Sequence, residues 1–293
     1  MSGRSLLPRQ WIGLSICLAG LWVTLAPLWA QATAVDVRHA LLLSSGAALA
    51  TALGVLPMLL LRAPSRQMLD VLLGFGAGVM LAASAWSLIL PALQMVRGPS
   101  AFGAGGAVGV LLALLAGGFT LMALERVLPH QHQPDGGRPA VGGAELPWRR
   151  SLLFVLAIVL HNLPEGLALG VAAVGLTEGQ ASALGIGIAL QDVPEGLLVA
   201  LALWQAGMAR WRAAVIGAVS GLVEPLAAVV AALALAPAQA ALPAALAFAA
   251  GAMLFVVSHE VIPESHRQGH ERSATTGLLL GFVLMTALDH LLA

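Results

Sequence analysis

Long apolar stretches, separated by short charged or Pro/Gly-rich breaks, follow one another along this chain. Each stretch is close to the roughly 20 residues that a helix needs to cross a bilayer. The pattern predicts nine membrane-spanning helices, at 11–30, 40–61, 68–94, 103–125, 151–174, 180–206, 213–235, 241–263 and 273–292. We therefore expect an all-α polytopic membrane protein.

Composition supports this prediction and excludes several function classes. Of 293 residues, 59% are hydrophobic and 10% are charged, and the formal net charge is zero. A soluble enzyme or a nucleic-acid-binding protein needs a larger charged surface than these residues provide. The one cysteine, Cys17, excludes an internal disulfide and a Cys-rich zinc fold.

The arginines predict the orientation. Twelve of the fourteen lie in alternate loops counted from the N-terminus, and only Arg38 and Arg97 fall on the opposite side. By the positive-inside rule, the N-terminus is expected in the cytoplasm and the C-terminus outside.

Two segments lie outside the regular pattern of spans. The first span has a basic start and ends near Ala30-Gln31-Ala32, so it is either an extra helix or a secretory signal. Residues 129–150 are predicted to form a cytoplasmic linker, and its His130 and His132 either bind metal or are simply solvated. The expected organisation is an N-terminal segment, three helices, the linker and five helices with a metal centre, at 1–36, 37–128, 129–150 and 151–293.

Four carboxylates lie deep inside predicted spans, where an unpaired charge costs several kcal/mol. They are Glu165, Asp192, Glu195 and Glu224. His161 follows Arg150 by eleven residues and Gln191 follows Gln180 by eleven, which places both about 16 Å into the membrane. Something near the midplane must neutralise the carboxylates.

A repeated frame organises this cluster. His161-Asn162-Leu163-Pro164-Glu165-Gly166 is echoed thirty residues later by Gln191-Asp192-Val193-Pro194-Glu195-Gly196. Residues three and four apart share a helix face, so each glutamate stands beside both polar residues of its own frame. Each glutamate is predicted to bridge two cation positions, one lined by His161 and Gln191 and the other by Asn162, Asp192 and Glu224.

The ligand set favours metal. Two divalent ions would bring the four carboxylates to formal neutrality. A set of one His, one Gln, one Asn and four carboxylates suits zinc, cadmium, iron or manganese. Pro164 and Pro194 are expected to kink their helices and to free backbone oxygens beside the site. The alternative is a set of protonated or mutually hydrogen-bonded groups that join helices.

Other polar residues give weaker signals. Met80 could offer a thioether at the same depth and Ser87 could line an entrance, although both positions are also compatible with simple packing. A histidine- and glutamate-rich segment near the predicted cytoplasmic mouth is either a secondary or exit site, which Glu125 could join, or a solvated helix end. It contains His259, Glu260, Glu264, His266 and His270.

These motifs, together with Gly221-Leu222-Val223-Glu224-Pro225 and His259-Glu260-Val261-Ile262-Pro263-Glu264, resemble those of the ZIP (Zrt/Irt-like) family of divalent-metal transporters, in its bacterial branch. The likeness covers about 40–293. It implies an eight-helix bundle, here with one extra N-terminal helix, that carries zinc and similar ions into the cytoplasm by elevator-like alternating access. It also implies a homodimer in the bacterial inner membrane, two ions at the centre, and neither enzymatic activity nor an organic cofactor.

The resemblance assigns the central ligands to seven positions and matches Met80 to a methionine ligand. The seven are His161, Asn162, Glu165, Gln191, Asp192, Glu195 and Glu224. Many eukaryotic members have histidine at the positions of Gln191 and Glu195, and a longer histidine-rich loop than 129–150. This more oxygen-rich centre indicates a metal selectivity that is not exclusive to zinc.

Two competing functions use similar ligands. An intramembrane metalloprotease needs a His-Glu-x-x-His turn, but the fifth residue of the turn that begins at His259 is Pro263. A proton-coupled metal exporter would need the same ligands as an importer. The residues alone do not give the direction of flux, and only the resemblance favours uptake.

Overall fold

The computed structural model describes residues 34–60, 64–97, 103–127, 147–205, 207–267 and 269–292. Every regular element in these ranges is helical. The first predicted span, 11–30, lies outside the described residues, as do His130 and His132.

Eight helical passes follow one another along the described chain. They are α1 (Ala34–Gly54, continued after a turn by Leu56–Leu60), α2 (Arg66–Met95), α3 (Gly103–Val127), α4 (Pro147–Gly175), α5 (Glu178–Gln205), α6 (Arg210–Ser220 and Val223–Leu235), α7 (Gln239–Ser265) and α8 (Glu271–Leu292). All except α4 have described windows that are long and apolar enough to cross a membrane, and α4 has 29 residues.

The all-α membrane fold is confirmed, and most helix ends lie within four residues of the predicted ones. The exception is α1, which begins at Ala34 and not at residue 40. Asp36, Arg38 and His39 lie in this extra turn and a half. Hydropathy marks only the apolar segment of a helix, whereas the helix itself continues through a polar end in the interface.

Prolines explain the irregular turns. A π-helical turn at Ala83–Ile89 precedes Pro91 in α2, and a second one at Val257–Val261 precedes Pro263 in α7. Proline removes an N–H and crowds the carbonyl four residues earlier, and a widened turn relieves that clash. Pro164 and Pro194 lie inside the continuous helices α4 and α5.

The helices divide into two bodies by their packing. In the first, which we call the site-bearing body, α1 packs on α5 and α6, and α4 packs on α6. In the second body, α2 packs along α8 and α3 along α7, while α7 also contacts the π-helical turn of α2. The two bodies meet mainly where α5 contacts α2 and α8, and where α4 contacts α7.

Glycines show how the two kinds of interface differ. Within the site-bearing body a Cβ on Gly54 or Gly196 would collide with the backbone of the facing helix, and within the second body the same holds for Gly74 and Gly251. Glycine at such positions lets helix backbones approach closely. Between the bodies, a Cβ on Gly187 would instead meet side-chain atoms, first the sulfur of Met285. Each body is thus joined backbone to backbone, whereas side chains form the contact between them.

Candidate metal centre

Three helices of the site-bearing body supply the predicted central ligands. His161, Asn162 and Glu165 share one face of α4 because they lie three and four residues apart. Gln191, Asp192 and Glu195 occupy the matching face of α5, and Glu224 lies in the first turn of the second segment of α6. The fold brings these faces together in the protein interior.

The first group of ligands consists of His161, Glu165 and Glu195. One ligand atom from each lies within 4.8 Å of the other two, and His161 Nε2 is 3.6 Å from Glu195 Oε2. The side chains of His161 and Glu195 are 17% and 15% exposed. An imidazole and two carboxylates at this spacing are a borderline ligand set of the kind that zinc prefers.

The second group consists of Glu165, Asp192 and Glu224. Its ligand atoms also lie within 4.8 Å of one another, and all three residues are at most 1% exposed. Glu165 belongs to both groups, so it occupies the bridging place. Glu195, for which the sequence predicted the same role, is grouped only with His161 and Glu165.

Unsatisfied oxygens make this region a candidate cation site. In the described part of the chain, six buried side-chain oxygens accept no hydrogen bond, and they are Glu165 Oε2, Gln191 Oε1, both oxygens of Asp192 and both of Glu224. A buried polar group without a partner costs free energy, and several carboxylates in one dry site repel each other. Bound cations would relieve both costs.

The two amides of the site are oriented by hydrogen bonds from their nitrogens. Gln191 Nε2 donates to Glu165 Oε1, and Asn162 Nδ2 donates to the carbonyl of Ser220 at 3.3 Å. Because Gln191 donates through its nitrogen, its Oε1 is available to bind a cation. The orientation of Gln191 is therefore compatible with the ligand role predicted for it.

Close helix packing determines where Glu224 lies. A Cβ on Gly166 would stand 2.6 Å from the carbonyl oxygen of Glu224 and 2.7 Å from the Cβ of Ala227. Only glycine permits this approach of α4 to α6. Gly166 directly follows Glu165, so the same contact brings the carboxylates of Glu165 and Glu224 together.

Comparison with known proteins also points to metal ions. The family described as ZIP Zinc transporter matches residues 144–289. The chain is 44% identical to the zinc transporter GufA of Myxococcus xanthus over 240 residues, which are 82% of this chain and 93% of that protein. It is also 44% identical to the zinc transporter ZIPB of Bordetella bronchiseptica over 256 residues, 87% of this chain and 82% of that one. Zinc transporter ZIP11 of Homo sapiens is 35% identical over 318 residues, covering 82% and 93%.

The chain belongs to the ZIP family. Membership confirms the resemblance seen in the sequence. It places this protein among transporters of divalent metal ions and not among enzymes.

The structure does not gather the predicted exit residues of this ZIP protein into one site. Glu260 of α7 lies next to the centre, with Oε2 at 3.5 Å from His161 Nδ1. His259 stacks on Phe255 and its Nε2 is 3.1 Å from Glu125 Oε1 at the end of α3. These two neighbours therefore serve different places, one at the centre and one nearer the helix ends.

The remaining residues of that segment have separate partners. Glu264 pairs with Arg267 at 3.1 Å, and both side chains are about half exposed. His266 lies 3.2 Å from the hydroxyl of Thr275. His270 Nδ1 is 2.8 Å from Asp70 Oδ2, which joins the start of α8 to α2.

Two other predicted positions lie in the second body. Met80 is 2% exposed and forms part of the apolar core. It lies one turn along α2 from Gly76, and a Cβ on Gly76 would stand 3.7 Å from the Cβ of Gln191. Ser87 is also buried, and it donates to Asp289 Oδ1 at 2.8 Å.

Sequence reasoning missed Asp70 and Asp289. Both are carboxylates of at most 9% exposure; Asp70 is the fifth residue of α2, and Asp289 lies in the last turn of α8. In the sequence, a buried carboxylate near a helix end looks the same as a solvated one. A signal was available, since Asp289 lies inside the last apolar stretch, 273–292.

Proposed function

We propose that this protein carries zinc and chemically similar divalent ions into the cytoplasm through a binuclear centre at mid-membrane. The observation that carries the proposal is the pair of ligand groups that share Glu165, with six buried oxygens that accept no hydrogen bond among the described residues. Two divalent ions would balance the charge of Glu165, Asp192, Glu195 and Glu224. The three relatives are all named as zinc transporters, which supports zinc as the principal ion.

The exit from the centre runs past Glu260. His161 has one ring nitrogen near Glu195 and the other near Glu260, so a cation at His161 has a further carboxylate within reach. One helix turn further along α7 lies Glu264, at the helix end where Arg267 and Arg272 follow. Arginine-rich ends face the cytoplasm by the positive-inside rule, which supports release on that side.

The division into two bodies supports alternating access of the elevator type. All seven central ligands belong to the site-bearing body, whereas Glu260 belongs to the second body. Movement of one body along the other would change which opening the centre faces, and Glu260 would then receive the ion from His161. Side-chain contacts between the bodies, such as Gly187 with Met285, favour sliding over backbone interlocking.

The arginine distribution supports a multi-pass inner-membrane protein with its N-terminus in the cytoplasm. The family resemblance supports a homodimer. Residues 1–36 and 129–150 would then be an N-terminal segment and a cytoplasmic loop attached to the transporting bundle.

Zinc flux in liposomes tests the function. Purified protein is reconstituted around a zinc-sensitive dye, and Glu165→Ala is compared with wild type and with Glu178→Ala, which removes an acidic residue at the start of α5 outside the two groups. We expect flux from wild type and from Glu178→Ala, and none above protein-free liposomes from Glu165→Ala. Flux from correctly inserted Glu165→Ala protein would reject the proposal. Zinc accumulation inside liposomes in which the arginine-rich side of the protein faces outward would favour export.

A disulfide between the bodies tests the movement. Gly187 of α5 faces Val79 of α2, because a Cβ on the glycine would stand 3.6 Å from Val79 Cγ1, so Val79→Cys with Gly187→Cys would link the bodies. Gly217 faces Ala200 inside the site-bearing body, which makes Ala200→Cys with Gly217→Cys the matched control. In a Cys17→Ser background, only the first pair is expected to stop flux on oxidation and to regain it on reduction. Unimpaired flux in the oxidised first pair would exclude sliding at this contact.

A further inference from the structure

Thr51 lies at a junction of three helices in the site-bearing body. It is on α1 and is 1% exposed. A Cβ on Gly196 of α5 would collide with its carbonyl oxygen, and a Cβ on Gly221 of α6 would stand 2.9 Å from its hydroxyl oxygen. Gly196 follows Glu195 and Gly221 precedes Glu224 by three residues, so both contacts hold Thr51 against the metal centre.

The hydroxyl oxygen of Thr51 lies against Gly221, which shares a face of α6 with Glu224 three residues later. The hydroxyl donates its hydrogen to the carbonyl of Ala47 at 3.3 Å, which is long for a hydroxyl donor. Glu224 is fully buried, and neither of its oxygens accepts a hydrogen bond within the described residues. An ionised carboxylate is a stronger acceptor than a helix carbonyl that already serves the backbone.

We propose that Thr51 is a positioning residue for the second cation position. When a cation binds between Asp192 and Glu224, the Thr51 hydroxyl rotates and donates to the Glu224 oxygen that does not face the ion. Threonine in a helix populates two χ1 rotamers, so this rotation needs no backbone movement. The inference rests on the proposed binuclear centre, and it gives α1, which supplies none of the predicted ligands, a part in holding the ion.

The chain offers matched variants that separate this role from packing. Thr51→Val keeps the shape against Gly221 and removes the hydroxyl, whereas Thr51→Ser keeps the hydroxyl. Ser44 is the control, because it is a buried hydroxyl on the same helix that donates to Ala40 four residues earlier at 2.6 Å. Ser44→Ala removes an equivalent helix bond with no carboxylate beside it in the described contacts.

Zinc binding to purified, detergent-solubilised full-length protein is the test, with the number of ions and both affinities measured by equilibrium dialysis. We expect wild type to bind two ions and Thr51→Val to bind the ion at the second position about tenfold less tightly, since a hydrogen bond to a charged group contributes at least that factor. The affinity for the ion at the first position stays within about twofold, as do both affinities of Thr51→Ser and Ser44→Ala. In liposomes, Thr51→Val raises KM for zinc, and Thr51→Ser restores it.

Two results would overturn the inference. Equal second-ion affinity in Thr51→Val and wild type would show that the hydroxyl has no role, and an equal loss in Thr51→Ser and Thr51→Val would assign the effect to packing. Both leave the binuclear centre intact. A single ion in wild type would instead reject the binuclear centre, and this inference with it. If Thr51→Val does not insert, Thr51→Ala takes its place in the comparison with Thr51→Ser.

Discussion

The two ligand groups share Glu165 but differ in almost every other respect. The first includes the imidazole of His161, is partly open, and has the carboxylate of Glu260 at its edge. The second contains only carboxylates among its charged ligands and is closed to solvent. Partial exposure and a nearby further ligand suit a position through which ions exchange. A closed all-carboxylate position suits an ion that stays and balances charge.

Charge would make the two proposed positions depend on each other. Glu165, Asp192 and Glu224 meet in a site from which water is excluded, where unbalanced negative charge is costly. An ion at the proposed second position would lower that cost and would thereby let Glu165 remain ionised to serve the first. We therefore expect loss of the shared residue to affect transport most, and loss of a residue in one group to affect mainly that group.

The largest effect is expected from Glu165→Ala, which removes the shared ligand. Both ions should be lost and zinc uptake by cells should fall to the level of cells without the protein. Metal analysis of the purified protein, together with a membrane-insertion assay, measures this. Near-normal uptake by the inserted variant would mean that the two positions do not share this residue.

A smaller and more selective effect is expected from Glu224→Gln, which removes one charge from the second group and keeps its shape. One ion per chain should remain, held by His161 and its neighbours, while uptake falls at least about tenfold. His161→Ala is the mirror-image variant and should retain only the second ion. Loss of both ions in each variant would mean that the groups form one indivisible site.

Acidification should weaken metal binding at both positions. Each proton on a carboxylate or on the His161 imidazole fills a lone pair and removes charge that attracts the cation. The metal-loaded state holds fewer protons than the metal-free state, so affinity falls as pH falls, by up to about tenfold per pH unit for each proton displaced. Zinc titrations at about pH 7.5 and 5.5 in detergent measure the change. An affinity that does not vary over this range would show that protons do not compete for these ligands.

Asn162→Ala should have the smallest effect of these variants. Asn162 is a neutral residue at the proposed second position, and its nitrogen already donates to the carbonyl of Ser220. One ion should stay bound, and the rate or the zinc-to-cadmium preference should change by a few fold. Competition uptake assays with both metals would detect this. Two fully bound ions in the variant would remove Asn162 from the second position.

The central cluster was predictable from sequence because each signal is local. Carboxylates inside apolar stretches stand out against their surroundings, and the three- and four-residue spacing of His161, Asn162 and Glu165 assigns them to one helix face. Hydropathy located the helices for the same reason. The confirmed family membership follows from these motifs, whereas the ligand assignments themselves stay predictions.

The contacts that sequence reasoning could not predict all depend on how separate helices are packed. Glu260 reaches His161 only because α7 lies against α4, and Asp70 meets His270 only because α2 and α8 run side by side. The place of Thr51 depends on two glycines of α5 and α6. No periodicity within one helix records which face of another it meets.

The positions of the metal ions in the loaded protein are the most direct test of a binuclear centre that shares Glu165. Crystals of zinc- or cadmium-loaded wild-type protein would be measured at the metal absorption edge, so that anomalous scattering locates each ion without reference to the protein coordinates. We expect two peaks, one on each side of the Glu165 carboxylate, with one beside His161 and Glu195 and the other beside Asp192 and Glu224. A single peak, or two peaks that Glu165 does not join, would contradict this expectation.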